Sequence, residues 1–323
     1  MNRKITRRVA IGTILSGLLA CPLALYYWRR KSDLQEFPSV VRWRELWTTF
    51  TREVIPTIVP FHFDKSFICE FSPNIGSSAN YSILTPIIEP GNVFDIDNVP
   101  EMYGLTKGVF DVLSIDENIL FKGKGIRNQI VTSSNNLVTN PGTEDNWLLL
   151  KNRESSLIPV EMIDNQLRHP NSLTLLYSVK PFQVFGIDAP KKSLTVGSTW
   201  EVQNPPDEGL AGTVTRKVSG FCRINEEEDD IVKIVTEKTV VPNDLFALFE
   251  EQMKSYQSAI DQQKLIGEME QVRKTQPIIE TYCESYFRLT TGILVYRKVI
   301  SSYYEGRRKN LISQNVNLTR VHY

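Results

Sequence analysis

Residues 214–224 read Val-Thr-Arg-Lys-Val-Ser-Gly-Phe-Cys-Arg-Ile. Val214, Arg216, Val218, Gly220, Cys222 and Ile224 alternate with Thr215, Lys217, Ser219, Phe221 and Arg223. A period of two is that of an extended strand with one face turned inward. The acidic turn Asn225 to Asp230 follows, and Ile231 to Val241 alternates again, with Val232, Ile234 and Thr236 set against Lys233, Val235 and Glu237. Two alternating runs joined by a short charged turn predict an antiparallel hairpin.

The same pattern recurs on both sides. Downstream, Ile278 to Thr290 runs into Thr291-Gly292 and returns as Ile293 to Tyr304; Glu305 to Arg308 turns once more, and Leu311 to Val321 follows. Upstream, Gly108 to Ile115 and Asn118 to Lys124 flank Asp116-Glu117, and Trp147 to Leu150, Leu157 to Ile163 and Leu173 to Val179 add shorter runs. The longer runs exceed the usual strand of about five or six residues, and long twisted strands curl. The expected fold is mainly β (α+β): a long-stranded curved antiparallel sheet or half-barrel with one helical insertion at about 243–275. Pro242 with Asn243 or Asp244 starts that insertion. Phe249, Met253, Tyr256 and Ile260 form its first stripe, phase is lost near Asp261 to Lys264, and Leu265, Met269 and Val272 form a second. One kinked helix or two should lie across the sheet, as cover for the core ahead of a ligand clamp.

The two ends of the chain differ in charge. The first 31 residues carry seven basic side chains and no acidic one, while 30 basic and 37 acidic groups fall in the remaining 292. An acidic body lacks the basic face that replaces phosphate counterions, which argues against nucleic acid as a partner. Val9 to Trp28 is free of charge, and 20 residues at about 1.5 Å each span a bilayer core. Basic clusters flank the run, and Tyr26, Tyr27 and Trp28 sit at the position of an interfacial belt. Cleavage after Ala20 or Ala24 would put Leu18 or Pro22 where a small residue is needed. Lipidation at Cys21 would leave Pro22 and a continuing apolar run behind it. An uncleaved single-pass membrane anchor is therefore the first reading, ahead of a lipidated Cys21 and of ordinary cleavage. Thr6-Arg7-Arg8-Val9-Ala10-Ile11 is twin-arginine-like, with Ala10 where that signal prefers Phe; a generic basic leader is the plainer reading. Either places the body outside the cytoplasm: a bacterial cytoplasmic membrane protein with a periplasmic, extracytoplasmic domain. The expected organisation is an export signal and anchor over 1–31, a juxtamembrane linker and amphipathic helix over 32–60, and a β-rich domain over 61–323. In the linker, Val40, Trp43, Trp47, Phe50 and Val54 form one helical stripe between Pro38 and Pro56, expected to pack on the domain core ahead of lying in the lipid interface.

Leu194-Thr195-Val196-Gly197-Ser198-Thr199-Trp200-Glu201, preceded by an export segment and followed by long alternating strands, resembles a group of uncharacterised exported, membrane-anchored bacterial β-rich proteins. In those, a V-x-V-G-D-x-W element opens a run of antiparallel strands, and a T-G-x-L strand follows, here Thr291-Gly292-Ile293-Leu294. This chain has Ser198 where Asp is commoner. Trp200 follows Val196-Gly197, opens a strand and is the largest apolar group there, so it is expected, with Gly197, as a buried structural anchor of the sheet; the resemblance implies an architecture similar to the lipoprotein-carrier half-barrels, which cradle acyl chains. It brings no catalytic residues.

The residues themselves offer little chemistry. His62, His169 and His322 are isolated, with no second His at metal-ligand spacing. No Gly-x-Ser-x-Gly elbow, P-loop or Gly-x-Gly-x-x-Gly occurs. Asp95-Ile96-Asp97-Asn98 with Glu101 gathers hard oxygen donors but lacks the rest of a calcium loop. The Glu226 to Asp230 cluster reads as a charged turn that keeps a hairpin soluble. Cys222 and Cys283 fall on two long strands and are the candidate disulfide, with three buried free thiols (Cys69 included) as the plainer alternative. Asn80 and Asn317 open sequons that matter only in a eukaryotic secretory host. The expectation is a non-catalytic tethered protein without metal or cofactor, binding an apolar or lipid-like ligand on its curved sheet. The alternatives are an interaction module for another envelope protein and an exported hydrolase with scattered site residues.

Overall fold

The computed structural model describes residues 40–322 except 64, 116–117, 133–137, 141–142, 152–157, 164–165, 169–188, 191, 204–212, 226, 228, 256–258 and 307–308. It opens with helix α1 (Val40–Val54) and strand β1 (Ile58–Phe61). Seven strands follow: β2 (Ser78–Ile87), β3 (Met102–Ile115), β4 (Asn118–Thr132), β5 (Val138–Asn140), β6 (Thr143–Lys151), β7 (Ile158–Ile163) and β8 (Gln166–Arg168). Then come β9 (Thr199–Gln203), β10 (Thr213–Ile224) and β11 (Ile231–Val240), helices α2 (Pro242–Ser255) and α3 (Ala259–Thr275), and finally β12 (Ile278–Arg288), β13 (Leu294–Glu305) and β14 (Asn310–His322). The protein is mainly β, and its strands form one open antiparallel sheet in the order β1-β10-β11-β12-β13-β14-β2-β3-β4-β6-β7-β8, with β5 on β4 and β9 on β10.

The long hairpins lie where alternation predicts them, with β3 and β4 extending beyond the expected runs. Strand β2 keeps a period of two through Ser78-Ala79-Asn80-Tyr81-Ser82-Ile83 and loses it at Leu84; it lies between β14 and β3 and is buried on both faces from Tyr81 to Leu84. Pro86 falls beyond the last β14 pair, Leu84 with Leu318, where a missing N–H breaks no ladder bond.

One face of the sheet is concave. Phe67 packs on Phe221 of β10 at 5.1 Å between ring centroids, and Phe71 packs on Phe121 of β4 at 5.9 Å. β10 and β4 are seven strands apart in the sheet order, yet one short segment rests on both and a single buried cluster gathers Phe221, Phe110 and Phe121 with it, as on a sheet curled towards this face. Glycines permit the bend: a Cβ on Gly108 or Gly125 would land on the Tyr81 hydroxyl and on backbone oxygens of Lys124 or Lys107. Tyr81 therefore lies across β3 and β4.

The segments around Phe67 and Leu194 pair with each other (N···O 2.9 and 2.7 Å) and plug one end of the concave face over Phe110, Phe121, Phe221, Val232, Phe287 and Val321. The other end is covered by the α2–α3 hairpin, whose Leu245, Leu265 and Val272 pack on Val240. The insertion is thus two helices. It breaks between Ser255 and Ala259, before the phase loss seen in the sequence, and Asp244 caps its start by accepting from Val241 N at 3.0 Å. Helix α1 takes the convex face as core cover: Trp47 and Val54 are buried against Leu84, Tyr103, Leu105, Val316 and Leu318. It runs along β3, with Trp47 and Phe50 on Tyr103 and Glu53 paired to Lys107 at 2.5 Å. Its N-terminal end therefore points to the Met102 end of that strand. No described helix is long and apolar enough to cross a membrane; the expected anchor at 9–28, with Cys21, lies outside the described residues.

Candidate functional site

Cross-strand partners in an antiparallel sheet share a face, so register assigns the concave lining. Arg216 pairs with Thr236 and Thr236 with Cys283; one step along, Ile234 pairs with Ser285, Ser285 with Arg297, and Arg297 with Thr319. Further along lie Lys238, Thr281, Ser301 and Asn315. The middle of the concave face, between plug and helical hairpin, is therefore a band of guanidinium, hydroxyl, amide and thiol groups. Arg297 Nε donates to Ser285 Oγ at 2.7 Å, and its guanidinium lies 5.9 Å from the Phe287 ring centroid. Thr281 and Ser301 share a 3.1 Å hydroxyl bond, Cys283 Sγ lies 3.4 Å from Ser285 Oγ, and Thr85 donates to Asn317 at 2.8 Å.

The centre of this band is only partly covered. On β14, Val316, Leu318 and Arg320 face the convex side and are buried, whereas their concave-facing neighbours Asn315, Asn317 and Thr319 are half-buried. Solvent thus reaches the middle of the curl on the side opposite the helix. Ser301, Thr85 and Gly104 are half-exposed beside them, and towards the Met102 end so are Tyr303, Ile87 and Met102. The hollow is amphipathic, with hydrogen-bonding groups in its depth and larger apolar groups at the rim where α1 begins.

Three cations share this face. Arg216 is 1% exposed and Arg297 4%, and Lys238 stands on the same face. Burial holds the Lys238 amine below the ordinary lysine value, with the nearby Asp244 carboxylate opposing it. The described concave positions 281–287 of β12, 297–301 of β13 and 315–321 of β14 carry no carboxylate and no imidazole. Arg216 was visible in the sequence, as a cation in phase with Val214 and Val218. Arg297, Asn317 and Thr319 gave no signal, because only strand register brings them together.

Of the candidates named from sequence, Cys222 and Cys283 do not pair. Cys69, Cys222 and Cys283 are all buried free thiols. Strand β11 separates the two, and a bulge at Ser219, between the Val218–Ile234 and Gly220–Lys233 pairs, reverses the alternation of β10. Cys222 and Ile224 therefore face the convex side, opposite Val218 and Cys283. Burial pushes the Cys69 thiol up to about 12 and the Cys222 thiol to about 11, the latter against the pull of Lys233. Gly197 takes a left-handed φ of 89° in the turn before β9 and donates to Val218 O at 2.9 Å. Trp200 is half-buried where a buried anchor was expected; it pairs in register with Arg216 and packs on the aromatic cluster. His62 is exposed, His322 pairs with Asn80 on the convex side, and residue 169 lies outside the described residues. The Asp95 carboxylate accepts from Asp97 N and Asn98 Nδ2, at 3.1 and 3.2 Å, within its own turn.

The acidic turn corrects the expectation of a merely solvated cap. The Glu227 side chain is only 4% exposed, and its carboxylate accepts both Nε and Nη2 of Arg288 at 3.0 and 2.5 Å while standing 3.6 Å from Arg320. Among the described residues no group of three or more His, Cys, Asp or Glu side chains is placed to hold a metal ion. No protein-family model matches the sequence, and no curated protein matches it.

Proposed function

We propose that this is a tethered, non-catalytic binding protein of the bacterial envelope, held by residues 9–28 as a single-pass anchor with its body on the extracytoplasmic side. Its curved sheet works as a half-barrel that takes an amphipathic, lipid-like ligand on its concave face. The observation that carries this reading is the partial exposure of Asn315, Asn317 and Thr319 opposite the fully buried Val316, Leu318 and Arg320. Partial exposure at the centre of the curl, on the side away from the helix-covered convex face, supports a guest there. The lining narrows the ligand class originally expected. The plug of Phe67, Cys69 and Leu194 fills the apolar end with the protein's own side chains, so an entirely apolar guest has little surface to meet. A guest with a polar head and an apolar remainder matches the Asn-Thr-Ser-Arg depth and the Tyr303, Ile87 and Met102 rim.

Amides, hydroxyls and guanidinium groups hold a ligand by hydrogen bonds, whereas proton transfer at neutral pH calls on carboxylates or imidazoles. That supports a carrier or sensor over an enzyme. The rim also lies at the end of the sheet from which α1 leads back towards the anchor, a geometry suited to meeting lipid. Native mass spectrometry of the full chain, extracted from its own host membranes, tests the reading. A stoichiometric adduct of lipid mass is expected, reduced by Asn317→Leu and Thr319→Leu. Quantitative co-purification of a protein with no lipid adduct would instead favour an interaction module.

A further inference from the structure

We infer that the loop over residues 88–101, between β2 and β3, is a membrane-contact surface that seats the body in the neutral lipid around its own anchor. The inference rests on the reading of residues 9–28 as that anchor, and is independent of what fills the hollow. The loop is pinned along its length. Gly91 N donates to Ile312 O at 3.2 Å, Asn92 N to Glu89 O at 3.1 Å and Asn98 N to Asp95 O at 3.2 Å. Phe94 N donates to Gln314 Oε1 at 2.6 Å, and Ile96 O accepts the Trp47 indole N–H at 3.1 Å. Ile88, Phe94 and Val99 pack inward on the cluster of Leu84, Tyr103 and Leu318. Val93 and Ile96 stand out to solvent instead, 64% and 37% exposed. Single exposed apolar side chains are ordinary; here two project from one pinned loop whose other large apolar groups are all packed.

The place of the loop selects its partner. Trp47, which holds Ile96, lies about 10 Å along α1 from the helix start at Val40, and that start points to the Met102 end of β3. Twelve residue steps separate Val40 from Trp28, the last residue of the uncharged run, a reach of at most about 43 Å. The end of the body that carries Val93 and Ile96 is therefore the end tied to the bilayer. Charge narrows the lipid. Glu89, Asp95, Asp97 and Glu101 are the loop's four charged groups, all carboxylates. An anionic surface repels them, whereas neutral zwitterionic lipid receives apolar side chains at its interface without that cost.

The test uses the full chain with Cys21→Ser, reconstituted in phosphatidylcholine vesicles and carrying the environment-sensitive dye NBD at Val93→Cys or at Ile75→Cys. Both positions are 64% exposed, and Ile75 precedes Gly76, which bonds to Val112 at the opposite end of β3. Dye at position 93 is expected to shift its emission to the blue and to lose intensity when the lipid carries a doxyl quencher near the head group. Dye at position 75 should do neither. Ile96→Asp should weaken the quenching at 93, and so should added phosphatidylglycerol. An alkaline carbonate wash reports the anchor separately. A chain that survives the wash without quenching at 93 overturns the loop contact and leaves the anchor reading standing. Equal quenching at both positions overturns the seat at this end, and stronger quenching with phosphatidylglycerol overturns the choice of neutral lipid. A chain lost in the wash overturns the anchor reading and the contact together.

Discussion

Arg288 of β12 clasps Glu227 of the β10–β11 turn through two nitrogens, Nε at 3.0 Å and Nη2 at 2.5 Å. The carboxylate also faces Arg320 of β14, so one acidic side chain ties a turn to two strands. Glu227 has a side chain only 4% exposed and Arg320 1%, so the group is unlike a surface ion pair. Removing one member leaves buried charge uncompensated, at a cost of about 3–5 kcal/mol.

Glu227→Gln should therefore lower the urea midpoint by an amount equivalent to about 3 kcal/mol. Asp230→Asn, which removes the far more exposed partner of Arg223 in the same turn, should change it by less than about 1 kcal/mol. Equal effects from the two would show that the clasp carries no special weight.

Glu284 gives the fold an acid limb. Burial alone would raise its pKa. Hydrogen bonds from Lys233 at 2.5 Å and Tyr282 at 2.7 Å, with the charges of Lys233 and Lys298, outweigh that and hold it below the ordinary carboxylate value. A depressed folded pKa contributes stability that is present above the unfolded value, about 4.3, and is lost as pH falls through the folded value. The stability gap between the unmodified chain and Glu284→Gln should be largest near neutral pH and shrink below about pH 4. Denaturation curves at pH 7 and pH 3 measure it, and a gap that grows on acidification would reverse the assignment.

Thiol labelling should be slow and ordered. With thiol pKa values of about 12 for Cys69 and about 11 for Cys222, only about one Cys69 in ten thousand is thiolate at pH 8. Iodoacetamide should leave both unmodified in the folded chain over hours, with Cys222 the faster of the two, and modify both on unfolding. A Cys222–Cys283 linked peptide after digestion would contradict the opposed faces of the two residues.

Gly108→Ala should cost about 3 kcal/mol, the upper end of overpacking, because the new methyl meets Tyr81 and a backbone oxygen of Lys124 that cannot step aside. Gly220→Ala, with open space around its Cβ position, should stay within about 1 kcal/mol. Thermal melts of the two variants distinguish curvature glycines from incidental ones.

Trp47→Ala should cost about 3–5 kcal/mol, since the indole is buried on Tyr103 and donates to Ile96 O at 3.1 Å. Deleting 1–39 should leave a foldable domain, whereas deleting 1–56 should not. Limited proteolysis separates the outcomes, and a stable 57–323 fragment would return α1 to the lipid interface.

Alternation exposed the long hairpins because each has one wet and one dry face, as in β11 and in β10 up to Val218. It misassigned Cys222 because a single bulged residue reverses parity without changing composition. The helical insertion was visible from its apolar stripes, but its break was displaced because phase is poorly defined between two short helices. The site was hidden for a different reason. Arg297, Ser285, Thr319 and Arg216 are ordinary strand residues taken one at a time, and their meaning lies in the pairing of β10, β11, β12, β13 and β14. Glu227 looked like one of several interchangeable turn acids until Arg288 and Arg320, 61 and 93 positions later, converged on it.

The seating of β2 between β14 and β3 has a consequence for synthesis. Leu84 finds Leu318 as its partner, so β2 stays half-paired on the ribosome until more than two hundred further residues have been made. Strand edges left open that long invite mispairing, and contacts so distant along the chain slow closure. Folding should therefore be held back until β14 has emerged, and a nascent chain arrested before Asn310 should recruit chaperones that the released chain no longer needs.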